Sequence, residues 1–122
     1  MKAAALHSRF GETGFALIVS TKTYDKLAAF LKPDEAAELE TFIAANPKAG
    51  DVIPGTGGIR KLRWAASGKG KRGGARIISY YYSLAMPLFL LTAYTKGTKI
   101  DLTAGEKKQM RKLVTDLKDQ YG

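Results

Sequence analysis

The hydrophobic period changes at Pro54-Gly-Thr-Gly-Gly58, and that break constrains the fold more than any other feature of the chain. Before it, apolar residues recur every three to four positions; after it they alternate, as on a half-buried strand. On the helical side, Tyr24, Leu27, Ala28 and Leu31 share one face of a first helix capped by Thr21 or Thr23 and ending at Lys32. Pro33 suits the first turn of a second helix, with Asp34 and Glu35 favourable to its N-terminal dipole and Ala36, Leu39, Phe42 and Ile43 as its buried stripe. Asn46-Pro47 ends it, so the two helices form an antiparallel hairpin. Phe15 to Val19, ahead of them, reads as a short buried strand.

On the strand side, Ile59 to Ala65 sets Leu62 and Trp64 on one face and Lys61 and Arg63 on the other. Ser67 to Gly74 reads as a basic hairpin loop, Ala75 to Tyr82 as a second strand and Pro87 to Tyr94 as a third. Connections this short favour an antiparallel meander, because parallel pairing needs a crossover of about a dozen residues or more. Thr103-Ala-Gly-Glu106 has capping-box spacing, and Met110, Leu113, Val114, Leu117 and Tyr121 trace one face of a closing helix. The expected class is α+β in the order β-α-α-β-β-β-α. Residues 1–14 read as a loosely ordered arm, and 15–122 as a single domain.

Charge is divided as sharply as period. Up to Gly58 there are six basic and seven acidic residues; from Ile59 onward there are fourteen and four. No acid stands between Asp51 and Asp101, an interval that holds Arg60, Lys61, Arg63, Lys69, Lys71, Arg72, Arg76, Lys96 and Lys99. These nine cations have no counterion near them in sequence. Same-sign clustering costs self-repulsion unless an anion binds, so an anionic partner such as nucleic acid is expected. With no Cys and His7 as the one imidazole, thiolate catalysis, a multi-His metal centre and a Ser-His-Asp triad are excluded as expectations, and no cofactor is called for. His7 reads as an ordinary surface residue. The longest apolar stretch considered, Ala85 to Leu91, falls far short of a bilayer span, so a cytosolic protein without membrane contact is expected.

Gly68-Lys-Gly-Lys-Arg-Gly73 satisfies G-x-G-x-x-G literally, but a strand follows it rather than a helix, and no acid comes before Asp101. Neither Gly-Lys pair precedes Ser or Thr, so the phosphate loop of nucleotide triphosphatases is also excluded. The better use of this segment is a cationic loop whose backbone N–H groups and lysines follow a phosphate chain. Among Tyr80, Tyr81 and Tyr82, alternation sends one ring to the core and leaves another exposed; Tyr94 suits either packing or base stacking.

Asp51-Val-Ile-Pro-Gly-Thr-Gly-Gly-Ile-Arg-Lys-Leu-Arg-Trp64, followed by Gly68-Lys-Gly-Lys-Arg-Gly-Gly-Ala-Arg-Ile-Ile78, resembles the RelE/ParE superfamily of bacterial toxins, most closely its HigB-type, RelE-like branch. The resemblance runs from about Phe15 to Gln120. It implies a small, curved, antiparallel and partly mixed sheet with an N-terminal two-helix hairpin and a C-terminal helix. It further implies a metal-independent endoribonuclease that cuts mRNA in the decoding site of the 70S ribosome and is silenced by a cognate antitoxin. In such enzymes a 2′-OH attacks the adjacent phosphate. By position, Lys61 and Arg63 match the family's paired basic residues, one a general base and the other a phosphate contact, and Arg76 matches the arginine that stabilises the transition state. Tyr94 is the nearest match to the tyrosine that orients or stacks the scissile nucleotide. Arg60, Lys69, Lys71, Arg72, Lys96 and Lys99 are the candidate RNA and phosphate contacts, and the general acid has no match. A ParE-like inhibitor of DNA gyrase without RNase activity is the alternative that this resemblance leaves open.

Overall fold

A computed structural model of the protein describes residues 16–65, 74–99 and 101–121, together with the backbone of residues 6–9. Among the described residues the architecture is α+β: three helices and a mixed sheet of six strands, ordered β1 (Leu6–Arg9), β2 (Ile18–Thr21), β6 (Leu88–Thr95), β5 (Ala75–Tyr80), β4 (Arg60–Trp64), β3 (Asp51–Val52). β2 (Ile18–Thr21) and β6 (Leu88–Thr95) pair in parallel at the centre, Ile18 against Leu88 and Ser20 against Leu90, and every other pairing is antiparallel. The expected meander is present as β4 (Arg60–Trp64), β5 (Ala75–Tyr80) and β6. The parallel pair is long-range: the chain between its two strands contains two helices and three strands.

Four local expectations are corrected. Residues Leu6–Arg9, read as part of a loose arm, form edge strand β1 against β2. The first helix is short: α1 spans Lys22–Leu27 and tightens into a 3₁₀ turn over Ala28–Phe30. Thr21 caps it, accepting from the backbone N–H of Tyr24 at 3.0 Å while its hydroxyl donates to the Leu91 carbonyl at 2.7 Å, so the cap also ties α1 to the sheet. Tyr24, Ala28 and Leu31 are buried as expected, but Leu27, the last residue of α1, is 47% exposed. Finally, Asp51–Val52 forms the two-residue strand β3 on β4, too short to show any period.

The second helix, α2 (Pro33–Ala45), starts at the proline, with Glu35 Oε1 accepting from the backbone N–H of Lys32 at 2.8 Å. Leu39 and Ile43 are completely buried, whereas Phe42 is partly exposed and packs on Trp64, ring centroids 5.3 Å apart. α3 (Ala104–Tyr121) starts in the expected capping box, Thr103 and Glu106 exchanging bonds of 2.8 and 3.1 Å.

Strand alternation divides the buried residues into two cores. Ile18, Ala75, Ile77, Leu88 and Leu90 pack with Tyr24, Leu39 and Ile43 of α1 and α2. Val19, Ile78, Tyr80, Phe89 and Leu91 pack with Val114 and Leu117 of α3. A register shift between Ile78 and Ser79 lets Thr92 pair with Ile78 while Leu90 pairs with Ser79, a β-bulge centred on Leu91. Among the described residues, no helix is long and apolar enough to cross a membrane.

Candidate active site

Register decides which of the candidate residues meet. In β4, Lys61 lies opposite Ile78 and Arg63 opposite Arg76; across β5, Arg76 lies opposite Tyr94 of β6. Directly opposed residues of antiparallel strands project to the same side, so Lys61, Arg63, Arg76 and Tyr94 share the face that packs against α3. Arg76 and Tyr94 occupy the floor, 8% and 7% exposed, while Lys61 is half-buried and Arg63 is open to solvent. The Arg76 Nη1 reaches the Ala75 carbonyl at 3.4 Å.

Arg60 is not part of this group. One residue out of phase with Lys61, it lies opposite Ser79 and projects to the other face, where its Nη1 donates to the Gly50 carbonyl at 3.0 Å. That bond clamps the turn preceding β3. Gly50 is held at φ +96°, where a Cβ would stand 2.8 Å from the Lys61 carbonyl oxygen. Lys96 is exposed in the turn after β6, and its backbone N–H bonds to the Gly74 carbonyl at 3.3 Å. Lys99 lies 5.9 Å from the centre of the Tyr94 ring. Lys69, Lys71 and Arg72 fall outside the described residues.

The expectation of cations without nearby counterions is also corrected. Asp101 and Glu106, just downstream of the acid-free interval, fold back onto it. Lys61 Nζ lies 3.2 Å from Asp101 Oδ1, and Lys99 forms an ion pair with Glu106. Both pairs are about one-third exposed or more, and such pairs contribute less than about 1 kcal/mol each. Their main effect is to arrange charge. The available signal is positional: an acid placed just before a capping box, in the segment that links α3 to the strand carrying Tyr94.

The titrating groups are set apart by these surroundings. Burial first, then the neighbouring Asp101 charge, pushes the Tyr94 hydroxyl up to about 12, with Arg76 opposing, so it is a neutral donor at physiological pH. The backbone N–H of Leu102, helped by Lys61, holds the Asp101 carboxyl below its usual range. Glu106 is lowered by Lys99 and by its capping bond to Thr103. The face therefore offers fixed cations, a neutral phenol and an ionised carboxylate. Such an arrangement can bind a phosphodiester and stabilise the charge that grows on its oxygens during displacement at phosphorus. Among the described residues, no three of His, Asp or Glu cluster closely enough to hold a metal ion.

Elsewhere, Tyr80 is core, whereas Tyr82, two residues beyond the end of β5, is 56% exposed with Lys118 Nζ 4.3 Å from its ring centre. No known protein-family model matches this chain.

Proposed function

We propose that this protein is the toxin of a type II toxin–antitoxin pair, a RelE-like, cytoplasmic, ribosome-dependent endoribonuclease that inhibits translation by cutting mRNA. The observation that carries this reading is the in-register row Arg63, Arg76 and Tyr94 across three adjacent strands, with Lys61 beside it on the same face. In the proposed reaction the ribose 2′-oxygen attacks the adjacent phosphorus while the 5′-oxygen leaves. The 2′-proton is lost, the leaving oxygen gains one, and a 2′,3′-cyclic phosphate remains. The pentavalent transition state carries an extra negative charge on its equatorial oxygens. Preorganised donors at that position are typically worth ~10² to 10³ in rate apiece. Arg76, buried and therefore poorly screened, is suited to that role; Arg63 and Lys61 suit the flanking phosphate oxygens. Tyr94, neutral at physiological pH, is suited to donate to or stack on the scissile nucleotide and not to act as its base. The excess positive charge suits rRNA and mRNA as partners, and an acidic or amphipathic antitoxin as the protein that silences the site.

Induced expression of wild type, Lys61→Ala and Arg76→Ala, followed by growth measurement and primer extension on a translated message, tests this reading. Wild type is expected to arrest growth and produce cuts phased to the reading frame, and both variants to lose both effects. Growth arrest with DNA damage and an intact message would replace this function with gyrase poisoning.

A further inference from the structure

Asp101 belongs to none of the strands that form the site, yet two of the site's side chains converge on it. Its Oδ1 accepts from the Leu102 backbone N–H at 2.7 Å, from Lys61 Nζ at 3.2 Å and from the Tyr94 hydroxyl at 3.4 Å. The first bond is local and the shortest, so the carboxylate is anchored to its own backbone at the approach to α3. The Tyr94 contact is long for an O–H···O bond, and charge more than hydrogen bonding couples the two groups. Lys61 and Tyr94 sit on strands either side of β5 and are offset along it, opposite Ile78 and Arg76. Two residues of strand rise separate those positions by about 7 Å. A single carboxylate spans that offset.

We propose that Asp101 is a positioning residue of this site: it draws the Lys61 ammonium and the Tyr94 hydroxyl together over β5, beside Arg76, and so fixes the geometry in which a phosphodiester is met. The inference rests on the ribonuclease reading and deepens it. The charged groups acting on Asp101 are Lys61 from β4 and Lys107 from α3, and those acting on Tyr94 are Asp101, Arg76 from β5 and Glu106 from α3, with Lys99 near its ring. In this arrangement Asp101 remains an ionised acceptor and the Tyr94 oxygen keeps its proton. Asp101 therefore acts through its neighbours and makes no contact of its own with RNA.

The test compares Asp101→Asn with wild type, using the full-length chain and mRNA-programmed ribosomes. Asn keeps an oxygen for the Leu102 N–H and removes the charge. The expected result is a kcat lower by about tenfold with KM within about twofold, the signature of lost transition-state geometry. On a Tyr94→Phe background the same substitution is expected to cost much less, because the hydroxyl it orients is already missing. A second readout needs no activity: the Tyr94 ring carbon bonded to oxygen, followed by NMR against pH, is expected to titrate earlier in Asp101→Asn than in wild type. Unchanged kcat, full additivity with Tyr94→Phe, or an unmoved Tyr94 titration would each overturn the proposal. Wild type that leaves ribosome-bound mRNA intact, with the Tyr94 titration still shifted by Asp101→Asn, would instead overturn the ribonuclease reading and leave the positioning contact standing.

Discussion

The two faces of the sheet are made from alternate residues of the same strands, and they are used in opposite ways. The core under α1 and α2 is aliphatic and aromatic, closed by Leu39 and Ile43 with Leu62 and Trp64 at its margin, and the polar Arg60 and Ser79 lie opposite each other on the same side. The face under α3 begins in the same manner at Val19, Phe89 and Leu91, then gives way toward β4 to Arg76, Lys61 and Arg63. Among the described residues, two packed helices cover the first face and one covers the second. Because strand side chains alternate, the cations of the second face are held in place by burial of their sequence neighbours on the first. One side of these five- to eight-residue strands is thus given to packing, while the other shares its packing core with a row of cations.

Crossing one substitution on each face tests this division most strongly. Leu39→Ala is expected to cost about 3 kcal/mol of unfolding free energy, read from denaturant melts, because the site is completely buried and leaves a cavity. Surviving folded molecules should still cut. Arg76→Met should do the reverse, lowering cleavage by at least about a hundredfold while costing less stability than Leu39→Ala, since an apolar side chain can take over the buried volume. If Arg76→Met unfolds the protein as readily as Leu39→Ala, the division between the faces fails.

A smaller effect is expected where the faces are joined. Gly50→Ala combines a positive φ with a Cβ pressed against the Lys61 carbonyl oxygen, and is expected to cost about 1–3 kcal/mol. It should also slow cleavage, because relief of the clash must move β3 or the strand that carries Lys61. Normal cleavage in a destabilised Gly50→Ala would place the damage in β3 alone.

The smallest predicted effect is on pH dependence. Asp101 and Glu106 are lowered in the folded protein, so their contribution is complete above the unfolded carboxylate range and is lost as pH falls through their folded values. Thermal melts between about pH 5 and 3 should show wild type losing more stability than the Asp101→Asn, Glu106→Gln double variant. Equal acid sensitivity would mean that the two carboxylates are unimportant to the fold.

The parts of this division visible in the sequence are those with a local period. Lys61 and Arg63 are two apart in a strand whose intervening Leu62 is apolar, and that alone puts them on one side; the stripe from Met110 to Tyr121 and the Thr103–Glu106 box locate α3. Long-range or very short features were hidden. The parallel pairing of β2 with β6 joins segments about seventy residues apart, as the Thr21 to Leu91 bond shows, and no alternation encodes it. β3 has two residues, and a cation in a basic run, such as Arg60, carries no mark of the carbonyl it serves. Asp101 escaped notice for the complementary reason: its partners Lys61 and Tyr94 are forty and seven residues away.

β6 is hydrogen-bonded to both β2 and β5 and is the last strand in the chain. β6 alone joins the two parts of the sheet: no strand of β1–β2 pairs with any strand of β3–β4–β5. A polypeptide interrupted during synthesis before β6 has Lys61, Arg63 and Arg76 but lacks Tyr94 and the central strand. The order of the strands thus makes the face that gathers Lys61, Arg63, Arg76 and Tyr94 one of the last things the growing chain completes.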